Sequence, residues 1–216
     1  MTQFRIGFVG DSITHGTGDE TLLGWPLRLG QAEAARGHDV TVYNLGIRAD
    51  TSALVAARWE AECRARLKPA FNCATVFAVG INDSADETSA AQTGRRVALD
   101  RSLDIIGGML TGARAFGPVL WVGPTPVVEA MMPLARLPGI VYDFRNATIA
   151  EYSRAYAALA ARLGVPYLDL FTVLGGDPAW EASLRKSDGL HPNSAGYEMM
   201  AARVGGWAAW RALLDG

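Results

Sequence analysis

The 216-residue chain has only two cysteines and three histidines, and no apolar run long enough to cross a bilayer. Each scarcity excludes something. Cys63, in a predicted helix, and Cys73, just before a predicted strand, cannot build a disulfide framework, and no Cys/His cluster has the spacing of a structural zinc site. No basic run is present: 20 Lys and Arg stand against 22 Asp and Glu, a formal charge of -2, which argues against nucleic acid as a partner. The N-terminus, Met1-Thr2-Gln3-Phe4-Arg5, enters the first strand at once, so no signal peptide is expected, and a cytoplasmic protein without a stable membrane anchor is anticipated.

What is present suits a packed enzyme or binding domain. Half of the residues are hydrophobic, enough for one sizeable core, so residues 1–216 are expected to form a single domain. Five β-like runs, at 4–9, 40–44, 74–79, 119–122 and 165–168, alternate with helix-like stretches. That alternation predicts an α/β fold in three layers, α/β/α, around a five-stranded parallel sheet. Right-handed crossovers make 2-1-3-4-5 the favoured strand order. Helices are expected over 22–36, from caps at 50–52 through 67, and over 92–114, 144–163 and 194–214. In the first of these, Leu22, Leu23, Leu27, Leu29 and Ala34 supply the inward stripe. The stretch after the fourth strand, to about residue 143, and the loop through residue 178 read as irregular.

The first strand ends in Gly10-Asp11-Ser12-Ile13, which puts Ser12 where open parallel sheets bind ligands. A serine there is either the N-cap of the next helix or a nucleophile. Asp188-Gly189-Leu190-His191 offers an acid three residues ahead of a histidine. Such an acid can hold Nδ1–H and turn Nε2 outward, or it can merely order the loop. His38 belongs at the opposite end of the sheet. His15 has no neighbouring acid except Asp11 and faces either the pocket rim or the first helical turn. Gly46 and Asn82, after the second and third strands, can join the Ser12 N–H as donors to an oxyanion, or serve as ordinary turn residues.

Four blocks, Gly10-Asp11-Ser12-Ile13, Asn44-Leu45-Gly46, Gly80-Ile81-Asn82-Asp83 and Asp188-Gly189-Leu190-His191, together resemble those of the SGNH, or GDSL, esterase and lipase family, in the family's order and across nearly the whole chain. The resemblance implies a small flavodoxin-like three-layer fold. It implies Ser12 as nucleophile, His191 as its base, Asp188 as the acid orienting the base, and an oxyanion hole made by the Ser12 N–H, the Gly46 N–H and the Asn82 amide. Ile13 replaces the leucine of the family name, one apolar residue for another. The Gly-x-Ser-x-Gly elbow of the α/β-hydrolases is absent.

The expected reaction is hydrolysis of a small carboxylic ester, with a short-chain acyl or acetyl group, through an acyl-enzyme on Ser12, without metal or organic cofactor. Arg48 is a candidate contact for an acidic or sugar substrate, or a solvated loop arginine. Met131 and Met132, with Pro133, Leu134 and Leu137, either line or cover an acyl pocket or form a satellite core. Trp25 stands at the rim or packs inward. The competing function is a non-enzymatic module that holds the phosphate of a nucleotide or flavin at Ser12, Thr14 and a helix N-terminus. That reading leaves Asp188, His191 and Asn82 unexplained. Nothing in the sequence specifies an oligomeric state.

Overall fold

A computed structural model describes residues 3–215, and within them all side chains but those of residues 136 and 137. Met1, Thr2 and the side chain of Leu137, named above, lie outside the described residues. The central sheet is parallel, in the order β2 (Asp39–Gly46), β1 (Gln3–Gly10), β3 (Asn72–Ala78), β6 (Val119–Val122) and β9 (Tyr167–Leu168). This is the order the crossover rule predicts. Gly10 pairs with Gly46 on one side and Ala78 on the other, so three strand ends finish level with each other.

Alternating side chains of β1 feed two cores. Ile6 and Phe8 pack with Trp25 and Leu29 of α2 (Gly24–Ala35), Tyr197 of α9 (Ser194–Gly205) and Trp210 of α10 (Ala208–Asp215). Val9, on the other face, packs with Phe77 of β3 and with α4 (Trp59–Arg66), α5 (Leu99–Ala113) and α6 (Asn146–Leu163). The three layers follow from this two-sided burial.

Several expected elements are shorter or more elaborate than the sequence suggested. In α2, Leu22 lies ahead of the helix and is 83% exposed, and Leu27 is also exposed. The inward face is instead Trp25, Leu29 and Glu33, spaced by four. Glu33 is tolerated inside because Trp210 Nε1 and His38 Nδ1 bond its carboxylate at 3.1 and 2.9 Å, and Arg211 pairs with it too. The helix expected through residue 67 is broken into α3 (Ser52–Ala56) and α4. At the break Arg58 turns inward and donates to the strand-end carbonyls of Gly10 and Leu45, both at 2.9 Å.

The helix expected from residue 92 starts at Leu99, and the segment expected to be irregular to residue 143 is largely ordered. β4 (Asp86–Thr88) and β5 (Thr93–Arg95) precede α5, while β7 (Leu134–Leu137) and β8 (Ile140–Asp143) follow β6. Together they form a second, antiparallel sheet in the order β5-β4-β8-β7. The expected loop through residue 178 contains α7 (Leu170–Leu174), capped by Asp169, and leads into α8 (Pro178–Arg185), capped by Asp177 with Pro178 in its first turn. The last predicted helix is two, α9 and α10, parted at Gly206 and Trp207. No helix among the described residues is long and apolar enough to cross a membrane.

Candidate active site

Ser12 opens the four-residue helix α1 (Ser12–His15), directly after β1. The cap is Asp11, whose Oδ1 accepts the Ile13 N–H at 2.9 Å. Ser12 is thereby relieved of capping, the first of the two roles open to it. Its hydroxyl instead lies 2.7 Å from His191 Nε2. As the first residue of a helix, Ser12 also presents a backbone N–H that the helix itself cannot satisfy.

The turn carrying His191 is built around Asp188. Oδ1 accepts the backbone N–H groups of Leu190 and His191 at 2.9 and 2.8 Å, and Oδ2 meets His191 Nδ1 at 2.8 Å. One carboxylate therefore fixes both the loop and the ring, and the two roles considered for it are one. Gly189 takes a φ of 82°, a left-handed conformation that favours glycine. A Cβ there would meet Met131 at 2.7 Å, so the methionine segment lies against this turn. Leu190 belongs to a third apolar cluster with Ile81, Val127 and Phe144, and Met132 and Leu134 pack on it. Met131 and Met132 are thus half-buried supports of the histidine turn.

The candidate donors are placed less simply. Asn82 is buried and directs Nδ2 to Asp11 Oδ2 at 3.2 Å and to the Asp50 carbonyl at 3.0 Å. The Gly46 N–H donates to Asn44 Oδ1 at 3.0 Å. A Cβ on Gly46 would come within 2.2 Å of the His15 nitrogen, so this glycine is required by the close approach of α1 to β2. The structure joins Ser12, His191 and Asp188 in one line and sets Asn82 beside it through Asp11. It does not leave the Gly46 N–H unengaged.

The remaining candidates stand apart from that line. Arg48 and His15 are exposed, Trp25 is wholly buried, and His38 is tied to Glu33. Cys63 and Cys73 are buried free thiols, and burial pushes Cys63 up to about 12. Among the described residues no group of three or more His, Cys, Asp or Glu side chains is placed to hold a metal ion. The phosphate-binding alternative loses its main support. Thr14 is buried and points its hydroxyl at the Ala78 carbonyl, and α1 spans a single turn.

Burial shifts the acids of this region. Asp11, wholly buried, is pushed up to about 7, chiefly by desolvation and against the pull of its bonds to Ile13 and Asn82. Asp83 is raised as well, again by burial, although Ser52 N–H and the Ser102 hydroxyl bond it at 2.7 and 2.6 Å. Two arginines here carry no motif in the sequence: Arg58, which binds Asp50 at 2.8 Å, and Arg96, which binds Asn82 Oδ1 at 2.9 Å. Neither lies in a block of chemistry-bearing residues, and only the fold brings them to the strand ends.

Residues 8–199 match the GDSL-like Lipase/Acylhydrolase family. Esterase TesA of Pseudomonas aeruginosa is 30% identical over 208 residues, 95% of this chain and 87% of that one. A crystal structure of TesA superposes with a TM-score of 0.69 at 26% identity, covering 98% of this chain and 100% of that one. In fold the chain is also similar to a lipase/acylhydrolase from Enterococcus faecalis, with a TM-score of 0.74, 23% identity, and 95% and 94% of the two chains covered. A mutant of Axe2, an acetyl-xylooligosaccharide esterase from Geobacillus stearmophilus, gives a TM-score of 0.66 at 21% identity over 94% of each chain.

Proposed function

The chain belongs to the GDSL-like lipase/acylhydrolase family and is an ester-bond hydrolase, and on that premise we propose that it cleaves a small carboxylic ester through an acyl-enzyme on Ser12. The observation that carries this reading is the continuous line from Asp188 Oδ2 through His191 to Ser12 Oγ, with links of 2.8 and 2.7 Å. Asp188 holds Nδ1–H, so that Nε2 faces the Ser12 hydroxyl as the acceptor of its proton. Oγ then bonds to the carbonyl carbon, and the carbonyl π pair moves onto oxygen. As the tetrahedral adduct collapses, the alkoxy group leaves with the proton carried by His191. Water repeats the sequence on the acyl-enzyme: His191 takes its proton, its oxygen bonds to the acyl carbon, and Ser12 departs reprotonated as the acid is released.

The negative oxygen is served by the Ser12 N–H and by the Asn82 amide. Two of the donors are engaged at rest: the Asn82 amide exchanges Asp11 Oδ2, and the Gly46 N–H, if it joins, exchanges Asn44 Oδ1, for the substrate oxygen. The ester in this reading carries a short acyl or acetyl group. The cavities of about 900 and 570 Å³ are bordered by residues from the amino ends of the strands, such as Phe4, Cys73, Pro118 and Val165, and Ser12 borders neither. Met131 and Met132 are occupied in supporting the His191 turn. Arg48, exposed just past β2, is the side chain available to a polar leaving group.

Hydrolysis of a p-nitrophenyl ester series, from acetate to long acyl chains, tests this by comparing the wild type with Ser12→Ala. The expected result is an optimum at short chains and a loss in kcat on the order of 10⁶ in the variant. Retained turnover in Ser12→Ala removes the nucleophile assignment, and an optimum at long chains removes the short-ester reading.

A further inference from the structure

Asn82 is a planar amide with an acceptor on one side and two donors on the other, so a half-turn about its last bond exchanges its chemistry. The proposed reaction uses the donor side. One group that holds that side is Arg96, a residue between β5 and α5 whose side chain is 7% exposed. Its guanidinium spans two acceptors. Nη1 donates to Asn82 Oδ1 and Nη2 to the Ala49 carbonyl, each at 2.9 Å. A guanidinium has donors only, so the flipped amide would set N–H groups against N–H groups. On the far side, Asp11 Oδ2 and the Asp50 carbonyl accept from Nδ2 and enforce the same orientation.

Arg96 is itself held by the second sheet. Glu87 of β4 lies 3.3 Å from its Nε, and its guanidinium carbon sits 4.5 Å from the centre of the Tyr142 ring of β8. Its backbone N–H donates to Ala85 O at 2.9 Å, in the segment that also carries Asn82. The second acceptor matters too. Ala49 is at a φ of 66°, a conformation that alanine rarely adopts, and its carbonyl is anchored by this one guanidinium.

We infer that Arg96 is a positioning residue of the hydrolysis, locking the Asn82 amide with its donors toward the Ser12 turn. The inference rests on the reading of Ser12 as nucleophile and Asn82 as oxyanion donor. Of the two bonds made by Nδ2, the 3.2 Å one to Asp11 is the longer, and it is the one that exchanges for the substrate oxygen. The small antiparallel sheet thereby serves the reaction through one side chain.

The test is a double-mutant cycle with Arg96→Met and Asn82→Ala on p-nitrophenyl acetate, together with inhibition by a boronic acid, which forms a tetrahedral adduct on serine. If Arg96 acts through Asn82, Arg96→Met lowers kcat about 10- to 100-fold with KM within about twofold. The boronate inhibition constant rises by a similar factor. Adding Arg96→Met to Asn82→Ala then costs less than about twofold more, because the amide it orients is gone. Multiplicative losses, or a change confined to KM, overturn the inference. If Arg96→Met does not fold, Arg96→Lys carries the same cycle, since it keeps the charge and stem but not the planar fork. Fluorophosphonate labelling of Ser12 separates the two readings. An unlabelled wild type defeats the parent mechanism, whereas a labelled wild type with full kcat in the Arg96 variant defeats only the role of Arg96.

Discussion

The two ends of the central sheet are made by the same strands and differ in almost everything else. At the amino end Phe4, Leu67, Cys73 and Phe116 border a cavity of about 900 Å³. On its border Lys68 Nζ donates to the Arg64 carbonyl at 3.0 Å, burial raises the Cys73 thiol, and Arg64 pairs with Glu60 at 2.5 Å. At the carboxyl end a cavity of about 20 Å³ lies beneath the Asp11 turn and one of about 230 Å³ beside Pro126 and Val127, and directed bonds join Ser12 to His191, His191 to Asp188, Arg96 to Asn82, and Arg58 to the Gly10 carbonyl. Cavity size is often the first guide to a site. Here the continuous line of hydrogen bonds from Asp188 through His191 to Ser12 lies at the other end of the sheet from the 900 Å³ cavity. What distinguishes a reactive surface in this fold is the order of its polar atoms.

The contrast breaks most directly at Asp188. Asp188→Asn retains much of the shape of the turn but presents the wrong partner to Nδ1, and a fall in kcat of about 10⁴ is expected. Steady-state rates on p-nitrophenyl acetate measure it, and unchanged kcat would reduce Asp188 to a loop residue. Asn82→Ala should cost about 10²–10³ in kcat while leaving KM nearly constant.

Asp11 sharpens the contrast through stability. Burial raises its folded pKa from 3.8 to about 7, so between those values the folded chain holds a proton that the unfolded chain has lost. Its contribution is fully present below pH 3.8 and is lost as pH rises through 7. The melting temperature of the wild type minus that of Asp11→Asn should therefore fall between pH 4 and pH 8. A difference that stays constant across that range would show that the carboxyl ionises without penalty. At the amino end, Val119→Ala should lower stability by about 1–2 kcal/mol and leave kcat unchanged. Parallel loss of turnover there would mean that the two ends are coupled.

Much of the fold was legible because it is written in apolar runs. The strand β6 coincides with its predicted bounds, and β1, β2 and β3 extend beyond them by only a residue or two at most ends. The second sheet was not legible. Asp86–Thr88 and Thr93–Arg95 are three-residue polar strands with no alternation to read, and they exist because β8 pairs with β4. Glu33 misdirected the reading of α2 for a related reason, since a buried acid is intelligible only once Trp210, Arg211 and His38 are seen around it. The site divides in the same way. Ser12, Asp188 and His191 stand in local patterns that carry their own chemistry. Arg96 and Arg58 stand in no such pattern, and among their targets are the Ala49 and Gly10 carbonyls, 47 and 48 residues away. The glycine at 46 could be noticed, but not that its N–H would bond Asn44.

The bond between Ser12 and His191 closes a loop of 179 residues. A contact of that span carries a large loop-closure cost, which the packing of the intervening strands and helices offsets. Turnover is therefore a report on assembly as well as on chemistry. In a refolding chain, helical signal should return first and hydrolysis last, with a lag that an intact Asp188-His191 turn cannot shorten by itself.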